Sequence, residues 1–308
     1  FTGANFTPIV GGNWTINNQS YPVVALSTSN GFTYTTDNGV ATITGYTGTN
    51  AAVVIPSTIG GLPVKTVTGS GFANNQNITS VTIPNSVTSI GNSTFEGSPN
   101  LATVNLGTGV TSLGDKAFSN CDALTAITIP AGLTTIGSEA FGSCDALASI
   151  NVDANNPAYS SVGGVLFNKL QTTLIQYPGG VAGGAYQIPA TVTTIGANAF
   201  KENGTLASLT IPNTVTTIGA NAFDGSLLLN DVTIGTGVRT IGNGAFANIS
   251  TLVSAVFTGN WTGNVTSSVN GTYTFGSGVF PTRGNFTVNY FTGANFTPIV
   301  GGNWTINN

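Results

Sequence analysis

A phrase of 23 residues recurs in this chain in two blocks, with a constant step inside each, and that period leaves few folds open. The segments starting at Ile83, Leu106 and Ile129 read IPNSVTSIGNSTFEGSPNLATVN, LGTGVTSLGDKAFSNCDALTAIT and IPAGLTTIGSEAFGSCDALASIN. A second run starts at Ile188, Ile211 and Ile234 and reads IPATVTTIGANAFKENGTLASLT, IPNTVTTIGANAFDGSLLLNDVT and IGTGVRTIGNGAFANISTLVSAV. The shared pattern is I-P-x-x-V-T-x-I-G-x-x-A-F-x-x-x-x-x-L-x-x-V-x. An opening copy at Ile55 carries a longer loop. A constant period of this size marks stacked coils, because one coil cannot bury its apolar side alone.

The phrase predicts the shape of each coil. Leu124, Ile127 and Ile129 carry an L-x-x-V-x-I stretch, a short strand with alternate side chains inward. The Pro that follows stops the strand, since it has no N–H to donate. Val-Thr-x-Ile then forms a second short extended stretch on the opposite wall. The next Gly turns the chain, and Ala-Phe sends a ring inward. Phe72, Phe95, Phe118, Phe141, Phe200, Phe223 and Phe246 hold this one position in successive coils, so they read as a core ladder. The expected architecture is a mostly β solenoid. Its coils stack as a parallel sheet, with short turns or 3-10 segments on the other wall.

Two segments depart from the period. Phe32–Tyr46 reads as a hairpin turning at Asp37-Asn38-Gly39, placed to cap the open end of the core. Between Val152 and Ile188 the step breaks. Val165–Phe167 and Thr173–Tyr177, joined by Asn168–Gln171, read there as a hairpin or an expanded coil.

The first 18 residues, FTGANFTPIVGGNWTINN, return letter for letter as Phe291–Asn308, an offset of 290 residues. This predicts a window onto a polymer of near-identical units. The expected organisation is 1–26 as the closing lid of a preceding unit and 32–256 as the solenoid, with an opening cap at 32–54 and an insertion at 153–187. Residues 257–308 then form a degenerate closing coil and the start of the next lid. Ser27–Gly31 would be a short linker that fixes successive units in relation to one another.

The phrase I-P-x-x-V-T-x-I-G-x-x-A-F resembles the BspA-like leucine-rich repeats of bacterial surface proteins, also called Treponema-type repeats. Asn38–Gly48, with Val54–Thr58 and Gly61–Val64, is similar to the usual opening of that family. Tyr159–Lys169 resembles its usual interruption, and Phe275–Phe280 with Asn285–Tyr290 its degenerate last coil. The resemblance spans about Phe32 to Phe257. It implies a right-handed solenoid, secretion, and adhesion to host matrix, cells or surfaces, with no common catalytic residues to carry over.

The residues themselves offer little chemistry. There is no His, which excludes a Ser-His-Asp or Cys-His arrangement and any His-ligated metal. None of the ten acidic residues falls in a calcium-loop spacing. No cofactor is expected. Lys65, Lys116, Lys169, Lys201, Arg239 and Arg283 are scattered and give a nucleic-acid backbone no stripe to meet. No apolar run approaches the ~20 residues of a membrane helix. Cys121 and Cys144 stack in neighbouring coils, either as a disulfide or as two buried thiols. Sequons such as those at Asn77, Asn203 and Asn264 arise readily by accident in a chain rich in Asn and Thr.

Charged residues make up 5% of the chain against the usual ~25%, so its polar surface must be Thr, Ser, Asn and Gly. The outward strand positions read as the working face: Thr103 and Asn105, Ala126 and Thr128, Ser149 and Asn151, Ser208 and Thr210, Asp231 and Thr233. The alternative is a soluble exterior with cross-strand support. Trp14, Trp304 and Trp261 fall in the closing lid, either exposed to stack on sugars or buried as plugs. The expected role is a non-enzymatic extracellular filament or adhesin. Its partners would be adjacent identical units and a glycan, matrix protein or abiotic surface. A purely structural stalk and, more remotely, ice binding by the Thr rows are the alternatives.

Overall fold

The computed structural model describes residues 27–252 and 254–257. Beyond these it describes the strands Trp14–Ile16, Gln19–Tyr21, Thr274–Phe275, Thr287–Tyr290, Asn295–Pro298 and Trp304–Asn307. The described residues form strands and turns, with no helix among them.

Each coil contributes one strand to each of two walls. On the first wall, Thr103–Asn105 lies parallel to Ser80–Thr82, and Ala126–Ile129 to Ser149–Val152. Further along, Ser208–Ile211, Asp231–Ile234, Ser254–Phe257 and Thr287–Tyr290 continue in parallel register. The last of these, Thr287–Tyr290, pairs in register with Ser254–Phe257 and so follows the stack. On the second wall the Val-Thr-x-Ile phrase forms two-residue strands. Ser89–Ile90, Ser112–Leu113 and Thr135–Ile136 pair in parallel, as do Thr194–Ile195, Thr217–Ile218 and Thr240–Ile241.

Between the walls runs the aromatic ladder. The rings of Phe72, Phe95, Phe118 and Phe141 follow one another at centroid distances of 5.1, 5.2 and 6.0 Å. Those of Phe200, Phe223 and Phe246 follow at 4.8 and 4.9 Å. All seven are buried. Each such ring contributes roughly 1.5–3 kcal/mol by leaving water. The sequence places no ring between Phe141 and Phe200, but the fold does. Tyr177 is buried, stacks 4.9 Å from Phe200, and donates its N–H to Ala199 O at 2.8 Å. Phe118 makes the same bond to Ala140 O. At the other end Tyr46 stacks on Phe72 and Phe32 tilts against Tyr46.

The glycine after each Val-Thr-x-Ile is needed for proximity rather than for its dihedral freedom. A Cβ on Gly137 would overlap the backbone of Asp115, and one on Gly219 that of Ala197. Neither has a positive φ. The left-handed corners lie beside the ring, and non-glycine residues hold several of them, including Lys116 at φ 54° and Glu139 at φ 53°.

The expected linker at Ser27–Gly31 is instead part of the cap. Ser27–Ser29 pairs antiparallel with Phe32–Asp37. The turn uses Asn30 and Gly31, with φ 52° and 81°, the left-handed pair that a two-residue hairpin demands. Asn38 and Gly39 repeat this geometry at the next turn.

The insertion is both a hairpin and an expanded coil. Tyr159–Val162, Val165–Asn168 and Thr173–Gln176 form an antiparallel meander, and the last joins Thr194–Ile195 in parallel. The strand Val165–Asn168 divides the interior. Leu166 packs in the core that begins at Phe32, whereas Val165 and Phe167 pack in the core that ends at Ala255. Alternation along one strand thus serves two cores. Tyr159 closes the edge left on the second wall: its hydroxyl accepts from Ile136 N–H at 3.0 Å and donates to Thr134 O at 3.3 Å.

Candidate functional site

The outward positions of the first wall fall where strand alternation puts them. Thr103, Asn105, Ala126, Thr128, Asn151, Ser208, Thr210 and Asp231 are exposed, and Ser149 and Thr233 are half-buried. Their inward neighbours Val104, Ile127, Ile150, Leu209 and Val232 are all buried. The insertion divides the face into two panels. Gly164 O accepts from Ile150 N–H at 2.8 Å, and Ser161 Oγ from Val152 N–H at 3.1 Å, so the Tyr159–Asn168 hairpin covers the edge of the first panel. The second panel begins at Ala185–Gln187, which the period-based reading did not include; Ala185 and Gln187 are exposed beside Ser208 and Thr210. Asp231 carries the one carboxylate among the ten face positions. The face is therefore flat, small-featured and almost without charge.

Trp14 lies opposite Tyr21 in an antiparallel pair, and Trp304 opposite Pro298 in another. Trp261 lies outside the described residues.

Glu96, Asp115, Lys116, Asp122, Glu139, Asp145, Lys201 and Asp224 lie in the turns beside the ladder. Asp122 and Asp145, one coil apart, are both exposed. Burial, and then the charge of Asp145, hold the Asp122 carboxyl above its usual range. No group of three or more metal-ligating side chains occurs among the described residues. Cys121 and Cys144 are free and buried. Each donates its thiol to the carbonyl of the ring one coil back, Cys121 to Phe95 O at 3.3 Å and Cys144 to Phe118 O at 3.1 Å. Ser98 and Ser226 make the same bond to Phe72 and Phe200. The position therefore selects a small donor, and the two-thiol alternative is the one the fold contains. Asn203 is also buried; its side chain accepts the N–H groups of Thr205 and Leu206, so this sequon is closed in the folded chain. Asn77 is exposed and Asn264 lies outside the described residues.

A cavity of about 390 Å³ opens beside the cap, lined by Asn30, Phe32, Tyr46, Asn50, Val53 and Ile59 among others. Tyr46 and Asn50 lie in the resemblance's opening segment or next to it, but nothing in their spacing announced a cavity.

The model of the BspA type leucine rich repeat region matches residues 63–182 and 185–291, with six copies of the repeat. The chain belongs to this family. The chain is also similar to solved structures. The pneumococcal vaccine antigen PcpA superposes with a TM-score of 0.62 at 18% identity, over 82% of this chain and 85% of that one. A leucine-rich repeat protein from Eubacterium ventriosum superposes with a TM-score of 0.52 at 24% identity, over 76% and 78%. The T. pallidum leucine rich repeat protein is 27% identical over 74% and 91%, with a TM-score of 0.46. No curated protein matches the chain.

Proposed function

We propose that this BspA-type chain is a non-enzymatic, extracellular tandem module of a bacterial surface filament or adhesin, attaching to cells, matrix or abiotic surfaces through its flat wall. The observation that carries this reading is the wall itself: exposed Thr, Ser, Asn and Ala side chains at fixed intervals over a buried ladder. Such a wall presents many equivalent weak contacts to an extended partner. The family match supports a solenoid binding surface, and the pneumococcal relative's description as a vaccine antigen supports exposure outside the cell. The 18-residue identity of Phe1–Asn18 and Phe291–Asn308 supports tandem copies, which multiply a weak contact through effective concentration.

The test compares one unit with three fused units for retention on immobilised glycans, matrix proteins and glass. Retention that rises by at least tenfold with three units supports avidity. Equal absence of retention leaves the stalk reading in its place. Charge-introducing substitutions at Thr128 and Thr210, one on each panel, are expected to abolish retention without lowering the melting temperature.

A further inference from the structure

The cavity beside the cap lies against a strand edge inside the chain. Ala52–Val54 pairs in parallel with Ser80–Thr82 and has no strand on its other side among the described residues. Ala51 O accepts from Thr79 and Ser80 N–H, and Ile55 N–H donates to Thr82 O, so the odd-numbered residues turn their backbone groups toward the stack. Alternation turns the N–H and C=O groups of Ala52 and Val54 the other way, and both residues line the cavity. Phe32 and Tyr46 give it an apolar floor; they are 6% and 8% exposed, with ring centroids 4.9 Å apart. The Tyr46 hydroxyl accepts from Asn50 N–H at 3.3 Å, and no described group accepts its own proton. The side-chain amides of Asn30 and Asn50, which also line the cavity, have no hydrogen-bond partner among the described residues. No side chain in the lining carries a charge.

We propose that this cavity binds a neutral sugar, as a free hexose or as the uncharged end of a glycan. Its volume of about 390 Å³ falls at the small end of ligand sites, roughly 300–1,000 Å³, which suits one or two rings rather than a long chain. An ionised ligand would leave water without meeting an opposite charge, so the uncharged lining selects a neutral one. Each sugar hydroxyl both donates and accepts. The cavity answers in kind, with outward N–H and C=O groups at Ala52 and Val54, two amides, and a phenol with a proton to give. The carbon-bound hydrogens of the ring fit the floor of Phe32 and Tyr46. An extended peptide would use only the four backbone groups of Ala52 and Val54 and leave the amides and the phenol idle. The inference does not depend on what the flat wall binds, and its failure would leave that reading untouched.

The experiment titrates the full chain, labelled on its Val and Ile methyl groups, with glucose, galactose, mannose, N-acetylglucosamine, lactose, cellobiose and chitobiose. At least one sugar should bind with a Kd on the order of 1 mM, as a ligand of this size does. It should move the methyl signals of Val54 and Ile59 and leave those of Val104 and Val232, beneath the flat wall, in place. Glucuronic acid should bind at least tenfold more weakly than glucose. Ala52 is exposed, so Ala52→Trp should fill the cavity, weaken binding at least tenfold and keep the melting temperature. The proposal is overturned if no sugar moves Val54 at about 50 mM, a concentration that detects even very weak sites. Movement of Val104 and Val232 alone would place the sugar on the wall and overturn it too, as would equal binding of glucuronic acid and glucose. Shifts at Val54 caused by the blocked peptide acetyl-Ala-Val-Thr-Val-amide and by no sugar would give the edge to an added strand instead.

Discussion

The Nζ of Lys201 lies 2.9 Å from Oε2 of Glu139, across 62 residues of chain. Ser143 donates to Glu202 and Asn198 to Ser138 in the same place, so three side-chain contacts clasp the coils that flank the insertion. They join the two halves on the turn wall while Val165–Asn168 joins them inside.

This clasp sets a pH dependence. Burial lowers the Lys201 pKa, but the hydrogen bond and charge of Glu139, with Glu202 and Asp224, outweigh it and raise the ammonium above its ordinary value. A lysine raised on folding contributes fully below its unfolded pKa of ~10.4 and loses that contribution as pH climbs through the folded value. Chemical denaturation should therefore show the clasp intact at pH 7 and failing only above about pH 10. A double-mutant cycle with Glu139→Gln and Lys201→Met should give a coupling of about 1 kcal/mol at neutral pH, the upper end for partly exposed pairs.

Removing a ring from the ladder should cost far more. Phe141→Ala leaves a void where a fully packed side chain met Phe118, and such truncations cost about 3–5 kcal/mol. Calorimetry should record a lower melting temperature and loss of cooperativity between the halves. An unchanged melting curve would falsify the inward role of the ring.

Tyr159→Phe deletes only an oxygen, yet that oxygen is the partner of Ile136 N–H and Thr134 C=O. Leaving such groups unpaired costs about 1–3 kcal/mol. Hydrogen exchange should accelerate at Ile136 and stay unaltered at Leu113, one coil away. Equal protection of Ile136 in both proteins would contradict the bridging role.

The thiols should be silent in the folded chain. Burial pushes the Cys144 pKa up to about 12 and raises Cys121 as well. Iodoacetamide at pH 8 should modify neither in the native protein and both after denaturation. Cys121→Ser should be nearly neutral, because Ser98 and Ser226 already occupy the equivalent place in other coils.

The parts of this molecule that repeat could be read from letters alone. Val104, Ile127 and Leu209 had to face inward and Thr103, Thr128 and Thr210 outward, because a fixed period and strand alternation leave no other arrangement. The parts that break the period were harder. Tyr177 enters the ladder without the Gly-x-x-Ala phrase that announces every ring from Phe118 to Phe246 apart from itself. Glu139 and Lys201 meet because of how the insertion folds out of the stack, a length no repeat encodes. The strand Ser27–Ser29 did have a signal, Asn30-Gly31, the same dipeptide as Asn38-Gly39, but its hydrophilic letters read as a link. Ala185 and Gln187 were missed for a related reason, since the strand before Ile188 carries Tyr186 where other coils carry an aliphatic residue.

A strand shared by two interiors has a mechanical consequence. When the ends of the molecule are drawn apart, the tension passes through Val165, Leu166 and Phe167 and the clasp beside them. Because Leu166 is buried with one half and Val165 and Phe167 with the other, a load on either half reaches the other through this one strand.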